Sequence, residues 1–241
     1  MLAGEYERRR VLAITYDRPG YGRSTRLPGR TVAQSGADVA AIAGHLGLRE
    51  FAVVGISGGG PSALAAAVAM PGRVTPCATV VGAGPHDPPD LDPFEGMSVQ
   101  ERQEWACAQQ GGACLAGRLY EESLAWADSL AAADDFTGPL RDMLAEAFRE
   151  GLRSPWGMVD DYGSLLRPWG FTLSDVTCPA KVMIAAEDTN VAPAHGYWLV
   201  DHLPHADAWV VEGGHMRPRV QPEEELLGWL AGARASPPPA P

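Results

Sequence analysis

One serine of the sequence lies in a pattern typical of a catalytic nucleophile. Residues 55–59 read Gly-Ile-Ser-Gly-Gly, which fits Gly-x-Ser-x-Gly with Ser57 at its centre. The pattern stands between an apolar run, 51–54, and an Ala-rich stretch, 61–70, which predict a strand and a helix. A tight strand-to-helix turn presents the serine Oγ, and the helix N-terminus favours the negative charge that develops in acyl transfer. The sequence therefore predicts Ser57 as a nucleophile.

Serine chemistry requires a base that accepts the hydroxyl proton and an acid that orients the base. Asp188 stands shortly after an apolar run, 181–186, and His215 stands shortly after another, 208–212. Both runs predict strands, and the carboxyl ends of parallel strands meet at one edge of a sheet. Nucleophile, acid and base thus occur in this order at three strand ends. We predict that Ser57, Asp188 and His215 form one hydrogen-bonded group.

Other interpretations of these residues stay open at the level of sequence. Residues 55–59 could form a glycine-rich turn without chemistry. A phosphate-binding loop is disfavoured, because neither Gly-x-x-x-x-Gly-Lys-Ser/Thr nor Gly-x-Gly-x-x-Gly occurs in the chain. For the acid, Glu187 is adjacent to Asp188 and competes with it, while Asp160 and Asp161 are weaker candidates.

A second histidine pattern resembles a metal site. His202 and His205 enclose Leu-Pro, but the proline prevents both rings from sharing one helical face. No other residue completes a ligand set, so a surface turn is the preferred interpretation. We expect neither a metal nor a cofactor.

Length and charge exclude several classes of protein. The chain has 241 residues, 46% of them hydrophobic, and 19 Lys+Arg against 30 Asp+Glu give a net charge of −11. This length suffices for a buried core. The acidic balance argues against nucleic acid as a partner, because phosphate backbones require clustered Lys and Arg. The expected partner is a small-molecule substrate, with self-association into a homo-oligomer left open.

Cysteine spacing and hydropathy indicate a cytoplasmic protein. The four cysteines are scattered without a C-x-x-C pair, which favours four free buried thiols and a reducing compartment. Residues 51–72 carry no charge and are long enough to span a bilayer. Their centre is the glycine-rich turn, which would break a helix, so we expect no membrane span.

The predicted elements alternate between strands and helices at both ends of the chain. Strands are predicted over 11–16, 51–54, 74–81, 181–186 and 208–212, and helices over 32–46, 61–70, 194–203 and 222–233. The alternation is typical of a parallel sheet with helices on its faces.

The middle of the chain has helical periodicity only. Helices are predicted over 98–109, 113–133, 138–151 and 156–166. We expect a sheet domain over 1–85 and 170–235, an inserted helical cap over 86–169, and a disordered proline-rich tail over 236–241.

Three stretches of the sequence carry a resemblance to a known family: Tyr16-Asp-Arg-Pro-Gly-Tyr-Gly-Arg-Ser24, Val54-Gly-Ile-Ser-Gly-Gly-Gly-Pro61, and Glu187-Asp-Thr-Asn-Val191 with Gly213-Gly-His215. Together they resemble the α/β-hydrolase superfamily, in its branch of small, capped, esterase-like enzymes with a serine nucleophile. The resemblance implies an α/β fold with a mostly parallel sheet, helices on both faces and an inserted cap. The first stretch is usually a structural turn without chemistry.

The resemblance also implies roles for individual residues. Ser57 would be the nucleophile, His215 the general base and then acid, Asp188 its orienting carboxylate, and the backbone N–H of Gly58 an oxyanion donor. The implied reaction is cleavage of a small ester-like substrate (a carboxylic ester, lactone or thioester) through an acyl-enzyme. Relatives that attack alkyl carbon use an aspartate nucleophile, which position 57 does not hold.

The chain departs from the superfamily pattern before Asp17. A His-Gly-type loop normally donates a second oxyanion N–H, and the third strand normally lies between the fourth and the fifth. Neither is found upstream of Asp17. We therefore expect a gap in the sheet with unpaired edges that cost stability and favour association. The alternative function is a truncated or degenerate member with weak or no turnover, acting as a binding or interaction protein.

Overall fold

Two compact units make up the chain. The computed structural model describes residues 2–119, 154–218 and 222–232. Unit 1 combines Met1–Ile14, Thr31–Ser98 and Arg167–Pro241, and unit 2 combines Thr15–Arg30 and Val99–Leu166. The predicted tail over 236–241 and most of the predicted helices over 113–133 and 138–151 lie outside the described residues.

A parallel sheet forms the centre of unit 1, as predicted. Its strands are β1 (Phe51–Ile56), β2 (Val74–Val80), β3 (Ala180–Ala185) and β4 (Ala206–Val211), and they pair in the order β1-β2-β3-β4. All three pairings are parallel. The two inner strands are almost entirely buried, in agreement with sequences that are apolar apart from two threonines in β2 and Lys181 in β3.

Helices flank this sheet and begin where the sequence supplies start signals. In unit 1 they are α1 (Leu2–Arg9), α2 (Val32–His45), α3 (Gly60–Ala69), α6 (Pro193–His202) and α7 (Pro222–Gly232). Proline occupies the first turn of α3 and of α6, where its missing N–H is not needed. At the start of α2, the N–H of Thr31 donates to Oε1 of Gln34 at 2.9 Å.

The predicted strand over 11–16 is wrong. Residues 11–18 have no strand hydrogen bonding, and Leu12 is 79% exposed. A strand exists only when a neighbour accepts and donates its backbone hydrogen bonds. Within the described part of the chain, β1 pairs with β2 alone, and its Ile56 side chain is 63% exposed.

Unit 2 joins helices to the 15–30 segment. Its helices are α4 (Val99–Gln110), residues 112–119, and α5 (Trp156–Leu165). Leu115, Leu119 and Val159 form its described core cluster. Arginines of the 15–30 segment bind two adjacent carboxylates of α5, Asp160 and Asp161. The first stretch of the superfamily resemblance therefore has a structural role inside unit 2, where ion pairs hold the 15–30 segment to α5.

A disulfide corrects the expectation of four free thiols. Cys107 in α4 and Cys114 are bonded, with their Cα atoms 5.4 Å apart. Gly111, at a φ of +123°, lets the chain turn between two helical stretches, which brings the two cysteines together. Cys77 and Cys178 are free and buried, as predicted.

No helix in the described ranges has both the length and the apolar character that a bilayer crossing requires.

Gly36 should be intolerant of a side chain. It lies where α2 packs on α3, and an added Cβ would stand 2.5 Å from the carbonyl oxygen of Ala65. We expect Gly36→Ala to lower the free energy of unfolding by about 1–3 kcal/mol. The control, Gly44→Ala, meets nothing within 4 Å on the same helix and should raise it by about 0.5–1 kcal/mol. Urea denaturation measures both, and equal shifts in the two variants would contradict the packing argument.

Thiol titration should count two reactive cysteines in the unfolded, unreduced protein and four after reduction, because Cys107 and Cys114 are paired. Cys107→Ser should raise the unreduced count to three by releasing Cys114. Four thiols in the unreduced wild-type chain would show that the disulfide does not form.

Candidate active site

The serine predicted as nucleophile lies on a strained turn. β1 ends at Ile56, Ser57 begins a short 3₁₀ turn over Ser57–Gly59, and α3 follows at once. Ser57 has a φ of +54°, in the left-handed region that non-glycine residues rarely occupy. Such backbone costs roughly 1–3 kcal/mol and is retained where the surrounding structure holds it in place.

Glycines around the turn allow the backbone to pass close to itself. A Cβ added to Gly55 would stand 2.1 Å from the carbonyl oxygen of Gly59. A Cβ added to Gly60 would stand 2.9 Å from the Cα of Gly82, beyond the end of β2. Gly55 and Gly60 are therefore required by space, since even a methyl group would displace the turn that carries Ser57.

Asp188 is a buried carboxylate, and both of its oxygens have hydrogen-bond partners. Its side chain is 1% exposed. Oδ1 accepts the N–H groups of Asn190 at 2.8 Å and Val191 at 3.0 Å, while Oδ2 lies 2.7 Å from Nδ1 of His215. These backbone donors hold the carboxylate in one orientation. The fragment Asp-x-Asn is the sequence signal for this turn.

Backbone pairing beyond the strands brings His215 to Asp188. Past the end of β3, the N–H of Ala186 donates to Val211 and the N–H of Glu187 donates to Gly213, both at 2.9 Å. The chain then turns through the short strand β5 (Gly213–Gly214), which pairs with β6 (Arg217–Pro218). Gly213 has a φ of +101°, which favours glycine at this position.

The structure brings together the three residues that the sequence singled out. His215 Nε2 lies 2.9 Å from Ser57 Oγ, and Nδ1 lies 2.7 Å from Asp188 Oδ2. Since the ionised carboxylate can only accept, Nδ1 carries the proton and Nε2 accepts the serine hydroxyl. The His215 side chain is 11% exposed. This arrangement can remove a proton from Ser57 and stabilise the imidazolium that results.

The N–H of Gly58 is available at the start of the helical turn. Gly58 is the second residue of the 3₁₀ turn that leads into α3. The first N–H groups of a helix have no intrahelical acceptor, and they carry the positive end of its dipole. A negatively charged oxygen beside Ser57 could therefore accept this N–H.

The competing acids have other surroundings. Glu187 is exposed, and it is the neighbouring Asp188 that contacts His215. Asp160 accepts two hydrogen bonds from Arg26, and Asp161 accepts the Tyr21 hydroxyl at 2.6 Å. These two carboxylates hold the 15–30 segment to α5 within unit 2. This use was not predicted from the sequence, although several arginines in 15–30 were a signal for it.

In the histidine pair with metal-like spacing, His202 has other partners. His202 stacks on Trp198 with ring centroids 3.8 Å apart, and its Nε2 lies 3.3 Å from Asp90. Within the described residues, no group of three His, Cys, Asp or Glu side chains could hold a metal ion.

Comparison with known proteins decides the family. The sequence profile of the alpha/beta hydrolase fold matches residues 7–216. The chain belongs to the alpha/beta hydrolase fold family. No curated protein matches this hydrolase in sequence.

Solved structures agree with the fold of this alpha/beta hydrolase. A hydrolase from Pseudomonas aeruginosa is 21% identical, with a TM-score of 0.65 over 90% of this chain and 78% of that one. A thermophilic esterase from Thermogutta terrifontis is 20% identical, with a TM-score of 0.61 over 90% and 78%. An enol-lactonase from Burkholderia xenovorans is 17% identical, with a TM-score of 0.62 over 89% and 79%.

The turn of this hydrolase should not accept Gly55→Ala. The added methyl group would overlap the Gly59 carbonyl, so we expect the free energy of unfolding to fall by about 1–3 kcal/mol. Gly214→Ala is the matched control beside His215, because its Cβ would meet the Glu187 carbonyl oxygen at an ordinary 3.5 Å. Urea denaturation of both variants tests the expectation, which fails if Gly55→Ala is as stable as Gly214→Ala.

Proposed function

We propose that this alpha/beta hydrolase cleaves a small ester-like substrate, a carboxylic ester, lactone or thioester, through Ser57, His215 and Asp188. The observation that carries the proposal is the pair of hydrogen bonds at 2.9 and 2.7 Å that joins the three side chains. Two solved structures with a similar fold, an esterase and an enol-lactonase, support a substrate with an ester or lactone bond.

Acylation begins when Ser57 Oγ attacks the carbonyl carbon and its proton passes to His215 Nε2. The imidazolium that forms is stabilised by the carboxylate of Asp188, which the N–H groups of Asn190 and Val191 hold in place. The carbonyl oxygen becomes negative and accepts the N–H of Gly58. When the bond to the leaving group breaks, His215 returns the proton to the alcohol or thiol.

Deacylation repeats these steps with water. His215 removes a proton from water, the hydroxide attacks the acyl carbon, and the proton then returns to Ser57 as the acid product leaves. Gly58 is the one oxyanion donor we assign among the described residues. Because a donor is typically worth about 10²–10³ in turnover, we expect a modest rate.

Further predictions accompany this function. We propose that the segment over 86–169 supplies a cap, and the helices α4 and α5 within it support this. The proposed partner is a small molecule, and the net charge of −11 supports the absence of nucleic acid. The cytoplasmic location stays a prediction, and the Cys107–Cys114 disulfide counts against the reducing compartment on which it was based.

Hydrolysis of short p-nitrophenyl esters tests the proposal. We expect Ser57→Ala to lower kcat by at least about 10³-fold, because nucleophile and base act as a unit. Ser62→Ala is the matched control, since its hydroxyl lies in α3 and contacts Ser35 at 3.1 Å. It should retain the wild-type rate and wild-type labelling by a fluorophosphonate, whereas Ser57→Ala should not be labelled. Equal rates for wild type and Ser57→Ala would refute the proposed hydrolysis through Ser57 and favour the alternative function as a binding protein.

A further inference from the structure

A buried histidine outside the proposed machinery connects two segments that are distant in sequence. His195, in the first turn of α6, is 2% exposed. The N–H of Gly84 donates to its Nδ1 at 3.0 Å, and its Nε2 lies 2.8 Å from the carbonyl oxygen of Pro93. Because that carbonyl can only accept, Nε2 carries the proton and Nδ1 accepts. Both ring nitrogens are therefore used, and only the neutral ring fits.

The connected segments hold the two ends of the proposed site. The acid loop, defined as residues 187–192, contains Asp188 and runs directly into the helix of His195. The bridging loop, defined as residues 84–98, follows β2. It begins two residues after Gly82, which packs against Gly60 beside the Ser57 turn. His195 thus links the acid loop to the segment that contacts the serine turn.

Two further contacts join the bridging loop to the acid loop and to α6. At the far end of the bridging loop, the N–H of Ser98 donates to the carbonyl oxygen of Thr189 at 2.7 Å. Nearer its middle, the indole N–H of Trp198 donates to Asp90 at 2.8 Å on the exposed surface. His195 is the buried member of this group and the one that contacts the bridging loop at two separate points.

We infer that His195 is a positioning residue, which sets the separation between Ser57 and Asp188 by holding the bridging loop against the acid loop. This inference rests on the proposed function. The site needs such a device, because His215 must reach Ser57 at 2.9 Å and Asp188 at 2.7 Å with one rigid ring. A change in the separation lengthens one of the two bonds, and misplacement by an ångström is enough to slow catalysis substantially.

The charge state of His195 agrees with this role. Burial lowers its pKa and outweighs the carbonyl oxygen of Pro93 and the carboxylates of Asp188 and Asp92, which act to raise it, while His86 acts to lower it. The neutral ring is therefore favoured near neutral pH. Protonation would place an N–H against the Gly84 N–H, so the contribution to stability is present above the pH where an exposed histidine titrates, about 6.5, and is lost as the pH falls below it.

Two substitutions distinguish the effect of the His195 hydrogen bonds from the effect of its side-chain volume. His195→Leu keeps much of the side-chain volume and removes both hydrogen bonds, whereas His195→Gln offers one acceptor and one donor in similar places. We expect kcat to fall at least tenfold in His195→Leu with KM within about twofold, and to recover largely in His195→Gln. Ser98→Pro removes the N–H that bonds Thr189 without touching His195, and should lower kcat in the same direction.

A measurement that does not require catalysis tests this inference independently of the proposed function. The hydrogen-bonded Nδ1–H proton of His215 gives a low-field NMR signal, assigned by its loss in His215→Gln. We expect the signal to shift or broaden in His195→Leu and to return in His195→Gln. A wild-type chain without esterase activity would refute the proposed function and leave this NMR test in force.

The inference is overturned if folded His195→Leu keeps both kcat and the low-field signal of the wild type. Should His195→Leu fail to fold, His195→Gln decides instead. An equal dependence of the denaturation midpoint on pH, below about 6.5, in wild type and His195→Gln would then overturn the inference.

Discussion

All four strands of the unit 1 sheet run in the same direction, so their carboxyl ends share one edge. Ser57 follows β1 at this edge, and the segments after β3 and β4 carry Asp188 and His215. Backbone bonds of Ala186 and Glu187 extend the pairing of these two segments past the strands themselves. Had β4 run antiparallel, His215 would lie at the opposite edge, some six residues away along the strand.

Close backbone approach is the second condition for the site. The left-handed conformation of Ser57 persists because Gly55 and Gly60 let the turn pack against its own backbone and against Gly82. Tight packing leaves no room for an alternative path of the turn, so the local strain is offset by the surrounding contacts. The buried charge of Asp188 is stabilised in a comparable way, by two backbone N–H groups and one imidazole.

Each unit also contains a buried polar side chain that joins segments distant in sequence. In unit 1 this is His195, which binds backbone groups of the bridging loop. In unit 2 it is Arg30, which is 3% exposed and donates to the carbonyl oxygens of Pro19 and Gly157 as well as to Asp161. Satisfied polar groups of this kind specify one arrangement of loops, because any other arrangement would leave a buried donor without an acceptor.

Local patterns in the sequence determined the parallel sheet, its helices and the three residues that meet at its edge. These features depend on hydropathy period, turn glycines and chain order, all of which operate over a few residues. Only the tertiary structure decided the state of 11–16, the Cys107–Cys114 bond, the pairing of Asp160 and Asp161 with arginines, and the place of His195. Each of these depends on a partner that folding brings close, and the residues next to each feature in the sequence do not identify that partner.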